Sequence, residues 1–109
     1  CPDPSCNPYL EIAAVLAAGL DGIENQIMPP SPTDRNIFEM SEEERMKYGI
    51  ETLPENLKQA VDEMEKSELV RSVLGDHIFG KYIEAKKHEW DDYRTKISKW
   101  ELDQYLTKY

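Results

Sequence analysis

Basic charge is scarce in this 109-residue sequence: 13 Lys and Arg stand against 22 Asp and Glu, a formal net charge of −9. A phosphate backbone or an anionic bilayer would repel such a surface, which excludes nucleic acid and the membrane as partners. Cysteine is scarcer still. Cys1 and Cys6 are the only two, too few for a secreted disulfide framework, and neither has a His or Cys partner at zinc-ligand spacing. They read as ordinary thiols in a reducing, cytoplasmic setting. Long apolar runs are absent as well: the longest goes from Ile12 to Leu20, far short of the ~18 residues that cross a bilayer. No stretch alternates apolar and polar with period two, so no sheet is expected. Leu, Ile, Val and Phe together number 23 of 109, just above the roughly 20% below which charged chains tend toward disorder. One small core is therefore within reach, and residues 1–109 are expected to form a single helical unit.

What is present is helix punctuation. Asn7 before Pro8 is a start signal, because the Asn side chain caps free N–H groups and proline at the first helical position gives up no hydrogen bond. The helix that follows is apolar on every side from Ile12 to Leu20 and needs cover all round; it is expected to continue to about Ile27. Residues 28–36, MPPSPTDRN, hold three prolines within four positions and predict a stiff extended connector. Ser41 and Glu44 make a capping box, predicting a short helix over 42–47 that stops at Gly49. Pro54 is expected to open an amphipathic helix carrying Leu57, Ala60, Val61 and Met64. Ser67 restarts a shorter one that stops at Gly75, and Asp76 then starts the longest helix, with Phe79, Tyr82, Ile83, Trp90, Tyr93 and Ile97 along its apolar stripe and Lys86 interrupting it. Ser98 and Glu101 form a second capping box, opening a terminal helix, 98–109, with Trp100, Leu102, Tyr105, Leu106 and Tyr109. The fold class is all-α, with five to six packed helices.

Chemistry-bearing patterns are few. Glu84, His88 and Asp92 share one helical face at i, i+4 and i+8, a spacing that could hold a divalent metal. A solvated face with local ion pairs to Lys87 and Lys96 accounts for them better, since a lone His has no accompanying ligands. The sequence holds no Gly-rich phosphate loop, no G-x-S-x-G elbow and no H-E-x-x-H helix. The aromatic tail is the salient feature: large rings with a polar tip, at an end that would ordinarily be polar, mark a docking element.

Five strings carry more: NPYLEIAAVLAAGLDGIEN at 7–25, PTDRNIFEMSEEER at 32–45, LPENLKQAVDE at 53–63, LGDHIFGKYIEAKKHEWDDYR at 74–94 and WELDQYL at 100–106. Together, in this order, they closely resemble the carboxyl-terminal segment of type I bacterial glutamine synthetase, across essentially the whole chain. The resemblance implies an ATP-dependent C–N ligase that joins glutamate and ammonia through γ-glutamyl phosphate, with Mg or Mn ions neutralising the transferring phosphoryl charge. In that family the metal ligands, nucleotide loop and substrate arginines lie upstream of the segment beginning PDPSCNPYL. No catalytic, cofactor-binding or metal-ligating residue is therefore expected here, and the chain is expected to be an inactive carboxyl-terminal piece that supplies helical packing and oligomer contacts. The resemblance also implies a two-ring dodecamer whose last helix anchors to a neighbouring subunit, which assigns Trp100, Leu102, Tyr105, Leu106 and Tyr109 to that contact. The string NIFEM places Phe38 where the adenylylated branch carries a modifiable tyrosine. Phenylalanine has no hydroxyl to accept AMP, so the chain resembles the Gram-positive-like branch, controlled by feedback and by protein partners such as nitrogen-responsive transcription regulators. Tyr48 does not match that motif. The alternative, of another class, is a free-standing acidic helical interaction module without catalysis.

Overall fold

The computed structural model describes residues 3–106 and 108. The elements run α1 (Pro8–Glu24), a 3₁₀ turn (Ile37–Glu39), α2 (Glu42–Lys47), α3 (Leu57–Lys66), α4 (Glu68–Tyr93) and α5 (Lys99–Tyr105). Among the described residues there is no strand, and the architecture is all-α as the sequence implies. Two compact units divide the chain, residues 1–55 and 56–109.

In the first unit α1 begins where Asn7 and Pro8 place it, with the Asn7 side chain accepting from Tyr9 N and Leu10 N. It ends at Glu24, one turn before the expected Ile27. The reason is a reversal at Gln26, which takes φ +52°. The N–H groups of Gln26 and Ile27 turn back to the carbonyls of Ile23 (3.3 Å) and Gly22 (2.9 Å), satisfying helix-end acceptors that would otherwise face water. Residues 28–36 form neither helix nor strand and bend at Arg35, as a run holding three prolines favours. The capping box of α2 is complete: Glu44 N donates to Ser41 Oγ at 3.2 Å, and Ser41 N donates to the Glu44 carboxylate at 3.0 Å. α2 closes at Gly49, φ +65°, by the same pair of reversed bonds, Gly49 N to Met46 O and Ile50 N to Arg45 O.

In the second unit α3 starts at Leu57, not Pro54, because the Asn56 side chain accepts from Gln59 N at 3.0 Å and so claims the cap. Val61, Phe79 and Ile83 are buried together, with Leu57, Met64, Val70 and Leu74 packed against them. Burial of each such side chain contributes ~1.5–3 kcal/mol, so this cluster supplies most of the unit's cohesion. Gly75 takes φ +72°, ψ +153°, a backbone region open essentially to glycine alone, and breaks α4 into the shorter and longer helices the sequence implies. The longer one ends at Tyr93, so Ile97 falls beyond it and stands exposed, as does Tyr93. Lys86 fits the stripe by lying along it: its side chain is 30% exposed, and its ammonium pairs with Glu89 at 2.6 Å. α5 stops at Tyr105 with Leu106 as its cap, short of the expected end at 109; Tyr109 lies outside the described residues.

Candidate functional site

The turn that carries Phe38 is assembled from local hydrogen bonds. The Asn36 side chain accepts from Phe38 N at 3.2 Å, Met40 N returns to Ile37 O, and Ser41 at once caps α2. Met40 is buried while Phe38, two residues away, is 96% exposed, so the turn presents its ring to solvent. The guanidinium of Arg35 stacks 5.3 Å from the Tyr48 ring centroid, tying the end of the connector to the cap of α2. Nothing in the sequence announces that contact, since the two residues lie thirteen apart with no periodic relation. Arg45 Nε is shielded from water and has no hydrogen-bond partner among the described residues.

α5 is held at its start by a second capping box. Ser98 N and Ser98 Oγ both donate to the Glu101 carboxylate at 2.7 Å, and Glu101 N donates to Ser98 Oγ at 3.2 Å. Those bonds, the backbone one foremost, hold the Glu101 carboxyl below its ordinary range. Along the helix Trp100 and Tyr105 meet edge to face, with ring centroids 6.3 Å apart. Both remain exposed, as do Leu102 and Leu106. The structure thus brings two of the expected contact residues together and leaves the apolar side chains of α5 open.

The face carrying Glu84, His88 and Asp92 is a row of ion pairs. Lys81 holds Glu84 at 2.8 Å and Lys96 holds Asp92 at 2.9 Å, whereas Lys87 reaches across to Glu65 on α3 at 2.7 Å. The hydrogen bond from Lys81 keeps the Glu84 carboxyl below its usual range. Among the described residues no three His, Cys, Asp or Glu side chains converge to hold a metal ion.

Between α3 and α4 lies an open groove of about 290 Å³, lined by Lys58, Val61, Asp62, Lys86, Lys87, Trp90 and Asp91. Its lysines are already matched: Lys58 to Asp62 at 2.6 Å, Lys86 to Glu89, and Lys87 to Glu65. The hydrogen bond from Lys58 lowers the Asp62 carboxyl's pKa. An anion entering the groove would have to displace these carboxylates. No helix is long and apolar enough to cross a membrane among the described residues.

A family model described as "Glutamine synthetase, catalytic domain" matches residues 1–105. Glutamine synthetase of Clostridium saccharobutylicum is 55% identical over 109 residues, all of this chain and 25% of that protein. The enzyme of the same name from Methanocaldococcus jannaschii is 53% identical over 105 residues, 96% of this chain and 23% of its own length. That of Thermus thermophilus is 48% identical over 108 residues, 99% of this chain and 24% of its own. The chain spans about a quarter of the length of the curated relatives it matches. These similarities give no support to the reading as a free-standing adaptor.

Proposed function

The chain belongs to the glutamine synthetase catalytic-domain family, and from that premise we propose that it is the carboxyl-terminal helical part of a cytoplasmic glutamate–ammonia ligase. One observation carries the reading: the resemblance is unbroken, 55% identity across all 109 residues with one relative and a family match over 1–105. The parent joins glutamate and ammonia to glutamine, with ATP activating the γ-carboxylate as an acyl phosphate. Divalent metal, Mg or Mn, would offset the phosphoryl charge during that transfer, held by residues outside this chain. What residues 1–109 contribute is helical scaffold, with 28–36 a stiff connector and 98–109 the terminal anchor. The open side chains of Trp100, Leu102, Tyr105 and Leu106, with Tyr109, contact another subunit of a two-ring assembly. The Phe38 turn is read as a regulatory position without a hydroxyl, in keeping with a Gram-positive-like branch that answers to feedback and to protein partners such as nitrogen-responsive regulators.

The test is a chimera in which residues 1–109 replace the matching segment of the Clostridium saccharobutylicum enzyme. It should assemble and form glutamine from glutamate, ammonia and ATP with Mg²⁺ or Mn²⁺, while the isolated chain shows no turnover. A chimera that is soluble and assembled yet inactive would overturn the reading, as would turnover by the purified chain alone.

A further inference from the structure

The negative charge of the chain is unevenly spread. Residues 1–55 hold eleven Asp and Glu against three Lys and Arg, a net of −8, whereas residues 56–109 hold eleven against ten, a net of −1. In the second unit the charges are drawn together, with ion pairs along α3, α4 and α5. Asp34, Glu39, Glu42 and Glu43 form no ion pair among the described residues; all four are exposed and lie within five positions of Phe38. The arginines of this stretch are engaged otherwise: Arg35 stacks on Tyr48, and Arg45 is half-buried with its Nε shielded. The ring at the centre is held in place. Phe38 N donates to the Asn36 side chain, Glu39 N and Met40 N donate back to Asn36 O and Ile37 O at 3.1 and 3.2 Å, and Met40 is buried. A protruding aromatic, ordered before any partner arrives and rimmed by charge, has the anatomy of an interface anchor. Carboxylates are costly to bury without cations, so this surface suits a partner that brings positive charge and not an apolar interior.

We propose that the Phe38 turn is a docking knob for a basic protein, whose surface offers an apolar socket to the ring and lysines or arginines to Asp34, Glu39, Glu42 and Glu43. The inference rests on the reading of this turn as a regulatory position and adds the chemistry of the partner that engages it. Charge selects that partner: the same carboxylates repel nucleic acid and anionic bilayers, and a second copy of the chain carries a net charge of −9. The ring supplies affinity by burial, and the rim supplies steering and discrimination.

The probe is a labelled amphipathic helical peptide of Lys and Leu, with two controls: one carrying Glu for every Lys, the other Ser for every Leu. Titrated against the 109-residue chain, the Lys/Leu peptide should bind and shift backbone amide resonances chiefly in residues 34–43. Phe38→Ser, at an exposed ring, should leave helicity unchanged and weaken binding at least tenfold. Glu42→Gln together with Glu43→Gln should weaken it less and flatten its dependence on salt. Each control peptide should bind at least tenfold more weakly than the Lys/Leu peptide. Undiminished binding by the Phe38→Ser variant would overturn the proposal, as would equal binding by either control or resonance shifts centred on α1 or α5. The titration involves no catalysis, so an inactive chimera without any substitution would count against the functional reading and not against this surface.

Discussion

The guanidinium of Arg71 lies 4.8 Å from the ring centroid of Phe79, spanning the break at Gly75. Phe79 is buried in the core of the second unit, whereas Arg71 is 44% exposed and its Nη1 is 3.9 Å from Asp76. A cation over an aromatic face at a partly exposed site contributes ~0.5–1 kcal/mol, and a loose ion pair to a carboxylate as open as Asp76 contributes less. Arg71→Ala should therefore destabilise the chain toward urea by about 1 kcal/mol, including lost stem packing, and Asp76→Ala should leave the midpoint nearly unchanged. Equal effects would show that the ion pair, not the ring contact, spans the break.

Gln26 and Gly49 hold the same left-handed position after α1 and α2 with different residues. A side chain there costs ~1–2 kcal/mol that glycine avoids. Gln26→Gly should stabilise the first unit by about 0.5–1 kcal/mol and Gly49→Ala should destabilise it by about 1 kcal/mol, both read from chemical unfolding. The same sign for both would refute the shared conformation.

The Glu101 carboxyl is held below its ordinary value of 4.5 by the Ser98 backbone and hydroxyl donors. A lowered folded-state pKa means that the stabilisation is fully present above the unfolded value and is lost as pH falls through the folded one. Helicity of α5 should accordingly decline below about pH 4.5, followed by Trp100 fluorescence. Glu101→Gln should remove that component of the acid transition; an unchanged profile would assign it to other carboxylates.

In the active chimera, Leu102→Ala together with Leu106→Ala should weaken each terminal anchor by several kcal/mol, since full burial of a leucine contributes ~1.5–3 kcal/mol and symmetry repeats the loss at every subunit. Sedimentation should show single rings or smaller species. An intact assembly would mean that α5 packs within its own subunit.

Incubation of the chimera with ATP and an adenylyltransferase of the enteric type should leave residues 36–40 without an AMP adduct by mass analysis, because Phe38 offers no hydroxyl. An adduct on Tyr48 would show that Tyr48, and not Phe38, occupies the regulatory position.

The helix starts are legible because their causes are local. Asn7, Ser41 and Ser98 each cap with partners two or three residues away, and Gly75 breaks α4 through its own dihedral angles. Boundaries move where two local signals compete, as between Pro54 and Asn56, or where no residue type marks the conformation, as at Gln26. By itself, then, the sequence determined the all-α class, the caps and the family, since each is written in neighbouring residues or in the order of strings. Only the tertiary structure decided that Lys87 bonds to Glu65 and not to its helical neighbours, that Arg35 stacks on Tyr48, and that α1 turns its large side chains outward. Those contacts depend on which faces meet after the backbone is closed, and hydrophobic periodicity says that a face wants cover without saying what supplies it.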